Sequence, residues 1–239
     1  MKKEFNRQFD RIFVTGDIHG DMHDLENRVL NLTNSTKDDL LILLGDCAFF
    51  YNEFYSDWYK DLERRRRAAD LPITILCIQG NHEVPYSQMK AERINLLEGE
   101  GYHADDIYFA MNGTTLNLNG KSALVVGGGY SVDKEIRLSR NYPYWEKEEL
   151  SDAELDVIIE AKKGKKYDFI FSHTCAYSDM PVHVFLPGVD QRKVSKRTEL
   201  ALERIKYGTQ YGKWFCGHFH AEFQRGDVRF LYRDVEQII

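Results

Sequence analysis

Short apolar runs with β-branched or aromatic content, each closed by glycine or a polar cluster, punctuate the chain and predict strands. They fall at Arg11 to Thr15, Leu40 to Leu44, Ile73 to Ile78, Ser122 to Val126, Asp168 to Phe171 and Lys213 to Cys216. Further strands are expected near Thr114 to Leu118 and Val228 to Tyr232. Helical spacing of apolar residues predicts helices at Met22 to Leu32, Asn52 to Ala69, Gln88 to Leu97, Ser151 to Ala161 and Arg197 to Ile205. The alternation of strand and helix favours a layered α/β fold with parallel strands. Ser151 and Glu154 have the spacing of a capping box, which marks a helix start.

Composition narrows the class. With 43% hydrophobic and 29% charged residues over 239 positions, the chain can bury a full core, and one domain over residues 1–239 is expected. Lys and Arg number 32 against 38 Asp and Glu, a net −6. That balance argues against coating nucleic acid or an anionic membrane, while local fields still allow a small anionic substrate. No apolar run approaches the ~18 residues of a membrane span, and Met1 to Glu4 leads into polar residues. A cytoplasmic location is the expectation. Cys47, Cys77, Cys175 and Cys216 form no C-x-x-C pair and read as small buried hydrophobes. The run Arg64 to Arg67 reads as a solvated helix face, and Asp21-Met22-His23 as a helix start.

Chemistry collects after the predicted strands. The first is followed by Gly16-Asp17-Ile18-His19-Gly20, the second by Gly45-Asp46 and the third by Gly80-Asn81-His82-Glu83. Ser172-His173 and Gly217-His218-Phe219-His220 follow two later ones. Carboxyl ends of parallel strands converge on one crevice, so these distant side chains can share a site. Imidazole, carboxylate and carboxamide suit Zn, Mn, Fe or Ni. Gly127 to Gly129 lacks the Lys-Ser/Thr of a phosphate loop and reads as a close backbone passage.

In this order the motifs resemble those of the calcineurin-like metallophosphoesterases, from Gly16 to His220. A finer resemblance to bacterial and prophage-type members rests on the segments around Gly128 to Arg137 and Ser172 to Pro181. The resemblance implies a four-layer αββα sandwich of two mixed β-sheets flanked by helices, with two divalent transition-metal ions at the strand ends. Asp17, His19 and His220 would hold one ion and Asn81, His173 and His218 the other, with Asp46 bridging them. It further implies hydrolysis of phosphate mono- or diesters by a metal-bridging hydroxide, with His82 assisting the leaving group.

One motif departs. Where serine/threonine protein phosphatases of this superfamily carry G-D-x-V-D-R-G, this chain has Gly45 to Tyr51, with Phe49 and Phe50 at the aspartate and arginine positions. Phosphoprotein specificity is thereby put in doubt, and no residue of the sequence identifies itself as orienting His82. Arg137, beside Lys134 and Arg140, is the expected substrate contact. The aromatic cluster from Phe49 to Tyr59 reads as packing; were some of it to line the crevice, a nucleotide or aryl phosphate would suit. The expected partner is a small phosphorylated molecule, a nucleotide or a phosphopeptide, with nucleic acid disfavoured and no membrane. The competing readings are a serine/threonine protein phosphatase, a nuclease, or a catalytically weak metal-binding interaction module.

Overall fold

Alternate side chains of Ile12–Thr15 and Leu40–Leu43 enter two different cores: Ile12, Val14, Leu40 and Ile42 one, Phe13, Leu41 and Leu43 the other. That period of two, with both faces apolar, is what a strand buried on both sides requires. The structure, a computed structural model, describes residues 3–239. Its strands are β1 Lys3–Phe5, β2 Ile12–Thr15, β3 Leu40–Leu43, β4 Thr74–Cys77, β5 Glu92–Leu96, β6 Gly99–Ala104, β7 Ile107–Ala110, β8 Thr115–Leu118, β9 Lys121–Val126, β10 Lys166–Ser172, β11 Gln210–Cys216, β12 Phe223–Arg225, β13 Val228–Phe230 and β14 Val235–Gln237. The helices are α1 Met22–Leu30, α2 Trp58–Asp70, α3 Lys134–Ser139, α4 Asp152–Lys162 and α5 Arg197–Gly208.

Two mixed sheets result. One has the order β1-β5-β6-β7-β4-β3-β2-β14, the other β12-β13-β11-β10-β9-β8. Within them β2, β3, β4 and β7 run parallel, as do β9, β10, β11 and β13. Between the sheets, Ile12, Val14, Ile42 and Leu76 meet Leu116, Val125, Phe171 and Phe215. On the outer face of the first sheet lie Leu25 and Val29 of α1 and Ala68 of α2. On that of the second lie Leu155 and Ile159 of α4 and Leu202 and Ile205 of α5. The architecture is therefore the expected αββα sandwich.

The capping box at Ser151 forms, and Asp21 caps α1 by accepting from the Asp24 amide at 3.0 Å. Of the arginine run, Arg66 and Arg67 face solvent as expected. Arg65 instead turns inward, donating to the Phe49 carbonyl at 2.6 Å with its guanidinium 4.2 Å from the Phe50 ring. The helix expected at Gln88 to Leu97 is corrected: its second half is β5, with Ile94 and Leu96 buried and Arg93 and Asn95 exposed. Helix-forming residues at 90–93 masked that alternation, and pairing with β1 and β6 decides the outcome. The second helix starts only at Trp58, six residues later than expected.

Candidate metal centre

β2, β3, β4, β10 and β11 all deliver their carboxyl ends to one side of the sandwich, where Asp17, Asp46, Asn81, His173 and His218 follow them within a few residues. The loops pass so closely that a Cβ on Gly80 would lie 2.0 Å from Asp46 Oδ1, so only glycine fits there. A Cβ on Gly127 would lie 2.3 Å from the Gln79 carbonyl, the close passage expected of that turn.

The side chains form two groups with Asp46 between them. In the first, His19 Nε2 and His220 Nε2 are 2.8 Å apart, and Asp17 Oδ2 lies 3.7 and 3.3 Å from them. In the second, Asn81 Oδ1 lies 2.8 Å from His173 Nε2 and 2.9 Å from His218 Nδ1, and those nitrogens are 3.2 Å apart. Asp46 Oδ2 is 3.7 Å from His19 Nε2, and its Oδ1 is 3.5 Å from His173 Nε2. Bonds of about 2.0–2.2 Å to nitrogen and oxygen place neighbouring ligands about 3 Å apart, the spacing seen here. Asp17 is fully buried, and its Oδ2 has no hydrogen-bond partner while Oδ1 accepts from the His218 amide at 2.9 Å. A buried carboxylate oxygen without a donor, faced by imidazole nitrogens, fits a divalent cation in chemistry and position.

The charges already lean that way. Burial would raise Asp46, but His173, His82 and His19 outweigh it and hold its carboxyl well below the usual range. For Asp17 burial is likewise outweighed, by His220 and His173. His173 is raised, Asp46 overcoming burial, whereas burial and the neighbouring His173 lower His218.

Buried residues behind the donors fix their direction. Asn81 Nδ2 donates to Ser131 Oγ at 2.9 Å, which turns its Oδ1 toward the imidazoles. Ser131 Oγ donates in turn to Glu148 Oε2 at 2.6 Å and accepts from Arg137 Nη1 at 2.8 Å. Glu83 ties two loops together, accepting from the amides of Ala48 and Gly80 at 3.2 Å and from that of Cys47. Burial and then Asp46 push its carboxyl up to about 7. Arg28 braces the first loop, donating to the carbonyls of Gly16, Asp17 and Tyr232. Nothing in the order of residues singles out Ser131, Glu148 or Arg28; a helical arginine and a loop glutamate are ordinarily solvated.

Arg137 is the expectation that the geometry corrects. It is 2% exposed, bonded to Ser131 and the Pro143 carbonyl, and so sits behind the site rather than in the cleft. Lys134 lies 5.1 Å from the Tyr144 ring. His82 stands at the rim: its amide donates to Asp46 Oδ1 at 2.8 Å, and its Nε2 is 3.9 Å from Asp133 Oδ1. Its ring faces that of Tyr51 at 6.3 Å. Burial, opposed by Asp46, lowers its pKa. Phe49 and Phe50 are buried in the core, and Phe54 and Tyr55 meet Trp145, so of that aromatic cluster only Tyr51 comes near the site. His19, Asp46, Asn81, His82, His218 and His220 open onto a cleft of about 620 Å³.

Among the described residues no helix is long and apolar enough to cross a membrane. No curated protein matches the chain. A sequence model of the calcineurin-like phosphoesterases matches residues 10–222, a span that contains every one of these strand-end residues. With nine-tenths of its length matched and its acids and imidazoles gathered at the strand ends, the chain belongs to the calcineurin-like phosphoesterase family.

Proposed function

We propose that the protein hydrolyses phosphate mono- or diesters with two divalent transition-metal ions, Mn, Fe, Zn or Ni. Family membership supports metal-dependent phosphoester hydrolysis. The observation that carries the two-ion reading is Asp46, whose two oxygens face different donor groups. Asp17, His19 and His220 would hold one ion, Asn81, His173 and His218 the other, and Asp46 both. When bound, such a pair supplies positive charge to the phosphoryl oxygens and acidifies a water so that it can attack near neutral pH.

The chain's own residues do the rest. His82, at the cleft and anchored through its amide to Asp46, is placed to give a hydrogen bond or proton to the departing oxygen. Asp133, with an Oδ1 that is buried and lacks a hydrogen-bond partner, is the carboxylate available to orient it. It takes the part that the sequence left vacant at Phe49. Phe50, in the core, offers no charge to a phosphate, which disfavours the phosphoprotein phosphatase reading.

The test is turnover of p-nitrophenyl phosphate and its bis-ester with added Mn²⁺ and after chelation, for wild type and His82→Asn. Chelation should abolish turnover. The variant should keep its metal by elemental analysis and lose about 10²- to 10⁴-fold in kcat. Undiminished turnover after chelation removes the two-ion reading, and undiminished turnover in the variant removes His82.

A further inference from the structure

The cleft above the donor groups has an uneven lining. Its floor is polar, but the segment between Met180 and Lys196 forms a wall of Val184, Phe185, Leu186 and Val189, continued by Phe219. The rings of Phe185 and Phe219 lie 6.2 Å apart and nearly parallel, at 16°. Phe219 is fixed against the His218 ring at 5.0 Å, so the aromatic surface begins beside the donors themselves. Tyr130 and Val132 also line the cleft. Leu186 is 62% and Val132 43% exposed, and both line the cleft. Apolar side chains held open around a concave site mark what the site receives. Among the described residues lining the cleft, Lys196 is the single lysine or arginine, and its Nζ already donates to Gln191 Oε1 at 2.9 Å. A strand of nucleic acid or a polyanionic leaving group calls for more cations than that.

We propose, building on the phosphoesterase reading above, that the substrate's leaving group is a bulky apolar ring system lodged against Phe185, Leu186 and Phe219. The ester phosphorus then sits over the donor groups, and the released alcohol or phenol is the part that the wall recognises. Small polar leaving groups such as glycols gain nothing from this surface. Of these aromatic residues, Phe185 comes from the segment between β10 and α5 and Phe219 from the loop after β11, not from the cluster around Tyr51.

The experiment compares 2-naphthylmethyl phosphate with 2-hydroxyethyl phosphate, each as monoester and as methyl diester, on the Mn²⁺-supplemented protein. The two alcohols are of similar acidity, so the ratio of kcat/KM reads contact with the wall rather than ease of bond cleavage. The naphthylmethyl ester should be preferred by at least about tenfold. Phe185→Ala and Leu186→Ala should each lower that preference by roughly threefold or more. Tyr207→Ser, on the exposed side of α5, should leave it in place. Equal kcat/KM for the pair, or a preference untouched by both wall variants, overturns the proposal while leaving the phosphoesterase reading intact. If no ester is turned over, that reading fails by itself. Calorimetric binding of 2-naphthylmethylphosphonate against 2-hydroxyethylphosphonate then decides: tighter binding of the former, weakened in Leu186→Ala, supports the wall's role, and equal affinity overturns it.

Discussion

Ser131→Ala tests whether the buried chain behind Asn81 sets the direction of its amide. Ser131 is 0% exposed and uses its full hydrogen-bonding capacity, accepting from Asn81 and Arg137 and donating to Glu148. Removing the hydroxyl leaves Asn81 Nδ2 without this acceptor, at a cost of about 1–3 kcal/mol, and deletes a bond to a carboxylate worth about 1.5–3 kcal/mol. Arg137 Nη1, 3.7 Å from Glu148 Oε2, can close part of the gap. A net loss of about 3 kcal/mol of folding stability follows. An amide freed from Ser131 can turn, presenting Nδ2 instead of Oδ1 to His173 and His218. Affinity for the ion on that side should fall about 10- to 100-fold. Urea unfolding in chelator measures the first effect, and calorimetric Mn²⁺ titration with elemental stoichiometry the second. Ser151→Ala is the control: losing the cap of α4 should cost about 1 kcal/mol without touching metal affinity. If Ser131→Ala binds Mn²⁺ as tightly as wild type, the chain is mere packing and the argument for orientation is wrong.

Two other perturbations have definite expected outcomes. Glu199 is 4% exposed, and its Oε2 lacks a partner; burial pushes its carboxyl up from 4.5 to about 6, opposed by the donor Thr174. The folded state thus favours the protonated acid, which contributes about 2 kcal/mol below the ordinary pKa and loses it as pH rises through about 6. Glu199→Gln should flatten that part of the stability profile between pH 4.5 and 7.5, read from urea midpoints; an unchanged slope would refute it. Gly80→Ala forces a Cβ to within 2.2 Å of the Asp46 amide nitrogen and should cost more than about 3 kcal/mol together with metal binding. Gly164→Ala, at φ +72° with open space around it, should cost only about 1–2 kcal/mol, and equal losses in the two would contradict the crowding argument.

Much of this could be read from residues alone because the signals were local. The runs at β2, β3, β4, β9, β10 and β11 are short, apolar on both faces and stopped by glycine or polar residues, and the chemistry stands directly after them. The gathering of Asp17, His19, Asp46, Asn81, His173, His218 and His220 was legible because strand ends share a side of the sandwich whatever their separation in sequence. What escaped was set by distant partners. β5 became a strand through pairing, against its composition. Arg137 has the charge of a substrate contact, but the Ser131 hydroxyl and the Pro143 carbonyl draw it inward. Asp133, whose Oδ1 lies 3.9 Å from His82 Nε2, is some fifty residues from it in sequence, and no spacing rule links them. The Phe185 wall belongs to an irregular loop whose apolar content has no period to read.

Backbone conformation at four of the strand-end residues bears on how their side chains are aimed. His19, Asp46, His218 and His220 all have positive φ, at +46°, +51°, +66° and +49°. For residues with a Cβ the left-handed region costs about 1–2 kcal/mol each. Sharp left-handed steps are, however, what point consecutive strand ends inward onto one spot, and the interlocked loops held by Glu83 and Arg28 keep them there. Local strain lowers the stability of the folded chain, and a cation that binds the folded state alone offsets it by mass action. The free energy of unfolding should therefore rise with added Mn²⁺, by about 2.7 kcal/mol at a hundredfold excess over Kd. An unfolding midpoint indifferent to Mn²⁺ would mean that the strained donors serve something other than a metal.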